Sequence, residues 1–328
     1  MTIQTTGMLW LLSGVFITLL IEGLLWLYWR FWGAGSIRDY ISEYDEPEGD
    51  YRIVQRIKTP TQRVALVETE GKWLIYGNGY VMFSTTEDER MYAEALIHIP
   101  MAVAKKRQRI LIIGGGGGIT TREVLRYPET MEITTVDADA MMMDFGKNLQ
   151  PLVKFNKGAL HHPKVQTVIA DGRSFVEHAE GKWDVIILDL PEPSRDYPEL
   201  GRLFSVEFYR LFQERLEPGG AIGVACSVFS SSPEYVWSIQ ATLEAAGYHI
   251  LPYHFDIIVE EEEDWGFCLA TAAPVSPGDV HISVPTRHLS PARLQDMFHI
   301  PYGYSIYKRD AKIQTDHNRV LIEIEESD

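Results

Sequence analysis

Two hydrophobic periods divide this chain. From Arg52 to Thr86 apolar and polar residues alternate (Val64 and Leu66, then Trp73 and Ile75), with turn signals at Glu70–Gly71 and Gly77–Asn78–Gly79. Period two broken by such turns predicts a small antiparallel β-layer. Glu87–Ala104 changes to a helical pattern, and from Arg109 short apolar runs alternate with amphipathic ones. The runs predict strands at Arg109–Ile113, Glu132–Val136, Val165–Ala170, Trp183–Leu188 and Ala221–Ala225. Helices are predicted between them at Thr120–Tyr127, Ala140–Leu149 and Ser205–Leu216, and another runs from the Ser232–Pro233 cap to Gly247. Strands alternating with helices imply a doubly wound, mostly parallel sheet of the Rossmann-like α/β class. The segment from Pro274 onward is less regular and reads as a C-terminal extension, 274–328.

The first 35 residues follow neither pattern. Met8–Trp32 is nearly continuous apolar sequence, about 37 Å long as a helix and enough for a ~30 Å hydrocarbon core. Trp10 stands near one end, and Trp26, Tyr28, Trp29, Phe31 and Trp32 crowd the other. This predicts a single-pass transmembrane anchor with aromatic belts. Arg30 and Arg38 follow the span, which places the catalytic body in the cytoplasm. Glu22 within the span marks a contact for a membrane-protein partner. Six acids with Pro47 and Gly49 in Asp39–Asp50 then read as a solvated linker, 36–50.

Composition narrows the chemistry. A formal charge of −16 argues against nucleic acid, which needs clustered Lys and Arg, and suits a cationic small molecule. Cys226 and Cys268 lie in apolar runs with no metal-ligand spacing, so neither a disulfide framework nor a metal site is expected.

Ligands of such sheets bind outside the carboxyl ends of the strands. There the first strand delivers the glycine run Gly114–Gly118, the second Asp137, the third Asp171–Gly172 and the fourth Asp189. Each aspartate alone could be a helix cap; together they describe a ligand edge. Asp137, about 20 residues past the glycines, suits ribose hydroxyls. Ile119 is too large for the third position of a dinucleotide fingerprint, and the Walker lysine is missing. Three carboxylates would repel pyrophosphate and favour a sulfonium nucleoside, either S-adenosylmethionine or its decarboxylated form.

Four stretches now carry a resemblance: Asp88–Pro100 (DERMYAEALIHIP), Ile110–Leu125 (ILIIGGGGGITTREVL), Asp184–Pro193 (DVIILDLPEP) and Leu203–Tyr209 (LFSVEFY). Over about Thr59–Thr271 the chain resembles the spermidine synthases, the polyamine aminopropyltransferase family. The resemblance implies a methyltransferase-type Rossmann-like domain at 87–273 behind a β-layer at 51–86, with room for a homodimer. It also implies transfer of an aminopropyl group from decarboxylated S-adenosylmethionine to an amine or polyamine, releasing methylthioadenosine.

Position by position, the resemblance puts Gln62, Gly114, Gly116, Asp137 and Asp171–Gly172 on the nucleoside. Asp189 matches the catalytic aspartate, with Tyr92 beside it, and Glu192 stands where a second aspartate is usual. Glu94 completes a Tyr-x-Glu motif on the substrate side. Glu260–Asp264 and Trp265 fall at a loop near the amine pocket. Three positions depart from the pattern: Gly117 replaces an aspartate that meets the aminopropyl amine, Phe83 replaces a glutamine, and Ala225–Cys226–Ser227 replaces a strand end bearing glutamine. The nucleoside half is kept and the amine half altered. A methyltransferase and a non-catalytic, nucleoside-binding membrane scaffold therefore stand as alternatives.

Overall fold

The computed structural model describes residues 21–24, 37–59, 62–257 and 263–326. The chain divides into two compact units, Met1–Phe83 and Ser84–Asp328.

In the first unit β1 (Tyr51–Lys58), β2 (Arg63–Thr69), β3 (Lys72–Gly77) and β4 (Tyr80–Ser84) form a sheet in sequence order. β1 pairs antiparallel with β2, and β2 with β3. Ala65, Val67 and Tyr76 bury one face together with Tyr40 and Ile41. Those two come from the acidic run expected to be a solvated linker. Their two apolar side chains lie in the cluster on that face, and Ile41 bridges Gly79. Tyr76 Oη donates to the Asp45 carbonyl at 2.7 Å, and Asp45 Oδ2 accepts from Val81 N at 2.5 Å.

The membrane reading of the N-terminal segment is corrected. No helix among the described residues is long and apolar enough to cross a membrane. Most of Met8–Trp32 lies outside the described residues; Ile21–Leu24 are helical and exposed, Glu22 among them. Hydropathy alone measures burial in any apolar setting. The expected transmembrane helix, its cytoplasmic orientation and the partner contact at Glu22 are thus without support among the described residues.

The second unit holds a seven-stranded sheet of β5 (Arg109–Gly114), β6 (Glu132–Asp137), β7 (Val165–Ile169), β8 (Trp183–Asp189), β9 (Leu216–Val228), β10 (His249–Ile257) and β11 (Glu263–Thr271). Their order is β10-β11-β9-β8-β5-β6-β7. Five strands, β7-β6-β5-β8-β9, run parallel. β11 is antiparallel to both β9 and β10. The connection between β10 and β11 is too short for a crossover, so that pair can only be antiparallel. Ile110–Ile113 and Val185–Leu188 are buried because helices cover both faces of the central strands.

The covering helices are α1 (Glu87–Val103), α2 (Ile119–Val124), α3 (Ala140–Asn148), α4 (Gln150–Phe155), α5 (Gly172–His178), α6 (Val206–Arg215) and α7 (Pro233–Ala245). Ser205 caps α6 by accepting from Phe208 N, and Pro233 opens α7. On one face α6 and α7 supply Phe208, Phe212, Val236 and Ile239; on the other α1 supplies Leu96, Ile97 and Ile99. The C-terminal extension packs into the same unit. Leu321 and Ile324 join the first cluster, and Leu289 and Met297 the second.

Candidate active site

The register of the parallel strands brings the expected residues to one edge. Gly114 closes β5 opposite Asp189, which closes β8, and Asp137 closes β6 next door. Asp189 is the focus. Its Oδ1 accepts from Tyr92 Oη of α1 at 3.1 Å, and its Oδ2 accepts from Thr120 Oγ1 of α2 at 2.9 Å. Burial pushes the Asp189 carboxyl up, against the lowering by these two hydroxyls. Burial, and then the charge of Asp189, pushes the Tyr92 phenol well above its usual range, so Tyr92 remains a donor. Its ring meets Trp265 of β11 edge-on, centroids 5.2 Å apart, and lies tilted against Phe267 at 5.6 Å. Thr120, in the first turn of the helix that follows the glycines, joins this pair although no sequence motif marked it; a hydroxyl there was the available signal.

The glycine run clears this edge. Gly114 has φ +87°, and a Cβ there would overlap the Asp189 carbonyl. At Gly115 a Cβ would lie 2.9 Å from Asp189 Oδ2. Gly116 N donates to Asp137 Oδ2 at 2.9 Å, and Asp139 N to Asp137 Oδ1 at 2.8 Å. Burial raises the Asp137 carboxyl to about 6, against the lowering by those two amides. Each oxygen retains a lone pair for a further hydroxyl donor. Gly117 is buried, and its carbonyl accepts from Asn156 Nδ2 at 2.8 Å.

Asp171 caps α5, its Oδ1 accepting from Ser174 N at 2.8 Å, while its Oδ2 pairs with Arg202. Gly172 lies against Ile113, where a Cβ would come within 2.5 Å of that side chain. Glu192 follows β8; burial pushes its carboxyl up and the Ser227 hydroxyl, hydrogen-bonded to it, works the other way. Glu263 Oε2 accepts from Trp265 Nε1 at 2.8 Å, and Asp264 pairs with His254 at 2.7 Å. Glu260–Glu262 lie outside the described residues. Gln62, in the first unit, is buried beside Gly77.

Glu94 does not join this group. Two residues apart on a helix, Tyr92 and Glu94 project about 200° from one another. The Glu94 carboxylate instead accepts from Arg287 N at 2.9 Å, His288 N at 2.8 Å and Arg126 Nη1 at 3.2 Å. It is a clasp holding the segment after β11 to α1. A buried network continues behind it. His98 bonds Tyr127 Oη at 2.9 Å and Glu123 at 3.3 Å, and Glu123 accepts from Arg122 and Arg126, both at 2.7 Å. Although burial opposes it, His98 and the two arginines hold the Glu123 carboxyl at about 2. Glu94, His98 and Glu123 lie close enough together to hold a metal ion, but the carboxylates already face Arg122 and Arg126, which suits a closed ion-pair network. Glu94→Ala would leave two part-buried N–H donors and Arg126 without their acceptor, at a cost of about 1–3 kcal/mol. Urea unfolding checks this; a loss below ~1 kcal/mol would show that the clasp is dispensable.

Residues 89–276 match the spermine/spermidine synthase domain. The chain is similar to polyamine aminopropyltransferase 2 of Ralstonia nicotianae, 32% identical over 244 residues, covering 74% of this chain and 46% of that protein. Polyamine aminopropyltransferase 2 of Bacillus cereus is 30% identical over 288 residues, covering 87% of this chain and 77% of that protein. The chain thus spans about half the length of the Ralstonia relative and over three quarters of the Bacillus one. Among solved structures, spermidine synthase from Thermotoga maritima superimposes with a TM-score of 0.69 at 20% identity, covering 79% of this chain and 87% of that one. A spermidine synthase in complex with the transition state analogue AdoDATO gives a TM-score of 0.70, also at 20% identity, covering 79% and 88%. Both likenesses establish the Rossmann-like, methyltransferase-type fold.

Proposed function

From the membership of this chain in the spermine/spermidine synthase family, we propose that it transfers an aminopropyl group from decarboxylated S-adenosylmethionine to an amine acceptor, releasing methylthioadenosine. The observation that carries the proposal is the Asp189 carboxylate, held by Tyr92 and Thr120 at the carboxyl end of β8.

An alkylammonium has a pKa near ~10 and is not nucleophilic until it loses a proton. In the proposed reaction Asp189 takes that proton, and the freed nitrogen attacks the propyl carbon bonded to sulfur. The new C–N bond forms as the C–S bond breaks, and its electron pair returns to sulfur, leaving a neutral thioether. Asp189 is suited to this because burial raises its proton affinity toward that of a working base. Tyr92 orients it, and the Tyr92–Trp265 pair supplies an aromatic wall for an alkyl chain. Glu192 receives the distal ammonium. Asp137 takes the ribose hydroxyls and Asp171–Gly172 the adenine. With glycine at 117, preference for the decarboxylated donor falls to the remaining carboxylates, Asp137 and Asp189, which repel a methionine carboxylate.

Methylthioadenosine is expected to raise the melting temperature of the protein, and Asp137→Ala to weaken its binding about tenfold or more by removing a charge-assisted acceptor. The ionised carboxylate is the better acceptor. Asp137 titrates at about 6, so wild-type affinity should strengthen as pH rises through that value, and the variant should lose this dependence. Equal affinity of variant and wild type, with the same pH profile, would move the ribose elsewhere.

A further inference from the structure

The stretch Ile313–Asn318 of the C-terminal extension lies past residues 89–276, the part of the chain that matches the synthase domain, yet it is tied to the start of α5. Gln314 fixes its path. It is buried; its carbonyl accepts from Val206 N of α6 at 3.0 Å, and its own N–H donates to Thr242 Oγ1 of α7 at 3.0 Å. This delivers Asp316 to Arg173, the residue after Asp171–Gly172. Arg173 Nη1 and Nη2 donate to the two Asp316 carboxylate oxygens, both at 2.7 Å. The side chains are only 17% and 24% exposed, and a shielded two-pronged pair holds its geometry where an open surface pair would not. The hydrogen bonds from Arg173, against the opposing effect of burial, keep the Asp316 carboxyl below its usual range. Asp316 Oδ1 also accepts from Ser205 Oγ at 2.7 Å, and Asp316 N donates to Glu207 Oε2 at 3.0 Å. Arg173 Nη1 reaches the Arg202 carbonyl at 3.3 Å, and the Arg202 side chain pairs with Asp171. One carboxylate of the extension thereby joins α5 to the Arg202–Ser205 turn, and both meet at Asp171.

We propose that Asp316 is a positioning residue for the nucleoside: through Arg173 it holds the Asp171–Gly172 turn against Arg202 and so presets the contacts that receive the adenine. The inference rests on the reading of Asp171–Gly172 as the adenine subsite. Helix α5 has seven residues, too few to hold itself, so the placement of its first turn depends on ties from outside.

Asp316→Ala is expected to weaken methylthioadenosine binding about three- to tenfold, the value of one hydrogen bond. KM for decarboxylated S-adenosylmethionine should rise in step, with KM for diamines unchanged. Asp316→Asn keeps an acceptor for Ser205 and loses the charge, so its effect should be smaller. Ile324→Ala opens a cavity in the core cluster beneath the same extension; it should lower the melting temperature at least as much and leave affinity unchanged. Asp171→Ala is the reference, expected to weaken binding about tenfold or more. Added to it, Asp316→Ala should change little further, because the two act through one contact. Calorimetric titration of each variant reads these values. If Ile324→Ala weakens binding as Asp316→Ala does, or if the losses simply add in the double variant, Asp316 is a structural anchor and the proposal is overturned. If Asp316→Ala binds as the wild type does while Asp171→Ala does not, the positioning role fails and the adenine assignment stands. If Asp171→Ala also binds normally, the adenine assignment itself falls, and the role of Asp316 with it.

Discussion

Asp189→Asn is expected to lower turnover by about 10²–10⁴-fold while methylthioadenosine binds nearly as before. Asparagine fills the same volume but cannot take a proton from an ammonium. Its amide also mismatches the surroundings. Tyr92 and Thr120 both donate to Asp189, and the NH2 group can accept from neither, so one hydroxyl must turn away. The pH profile is a second check. Burial raises the Asp189 carboxyl, so the base appears only above the ordinary carboxylate range of ~4. The wild-type kcat/KM should rise with pH there, and this rise should vanish in the variant. Normal turnover with any accepted amine would assign the proton transfer to another group.

Gly114→Ala should cost about 3–5 kcal/mol of folding stability, from the sum of backbone strain and a backbone clash. Gly114 has φ +87°, and its added methyl would run into the Asp189 carbonyl on the adjacent strand. Neither partner can yield, since both belong to the paired β5–β8 register. Gly158→Ala is the control: Gly158 also has a positive φ, +68°, but open space where the Cβ would go. It should cost about 1 kcal/mol, the strain alone. Chemical unfolding of the two variants isolates the clash. Equal losses would mean that the strand ends adjust freely and that the glycine is not required by the approach of Asp189.

The pattern of this chain determined a good deal by itself. Continuous apolar runs such as Ile110–Ile113 and Val185–Leu188 announce strands covered on both faces, because solvent exclusion acts on every residue in turn. Alternation of such strands with helices, together with glycine and aspartate at the strand ends, located Asp137, Asp171 and Asp189 on one edge. These signals are local, and a linear sequence displays them. Tertiary structure decided what depends on partners remote in sequence. Glu94 reads as one motif with Tyr92, yet the helix turns them apart, and Arg287 and His288, nearly two hundred residues on, take up its carboxylate. The acidic run after residue 36 reads as solvated, yet Tyr40 and Ile41 are drawn onto a sheet whose strands begin at Tyr51. The antiparallel β11 and its bulge against β9 arise only from pairing; no residue type in Ala225–Cys226–Ser227 announces the positive φ, +102°, at Ser227. Hydropathy and spacing report how each residue relates to water and to its chain neighbours. Which carboxylate meets which hydroxyl is set by the packing of α1, α2 and β11 around β8, and that information resides in the folded chain.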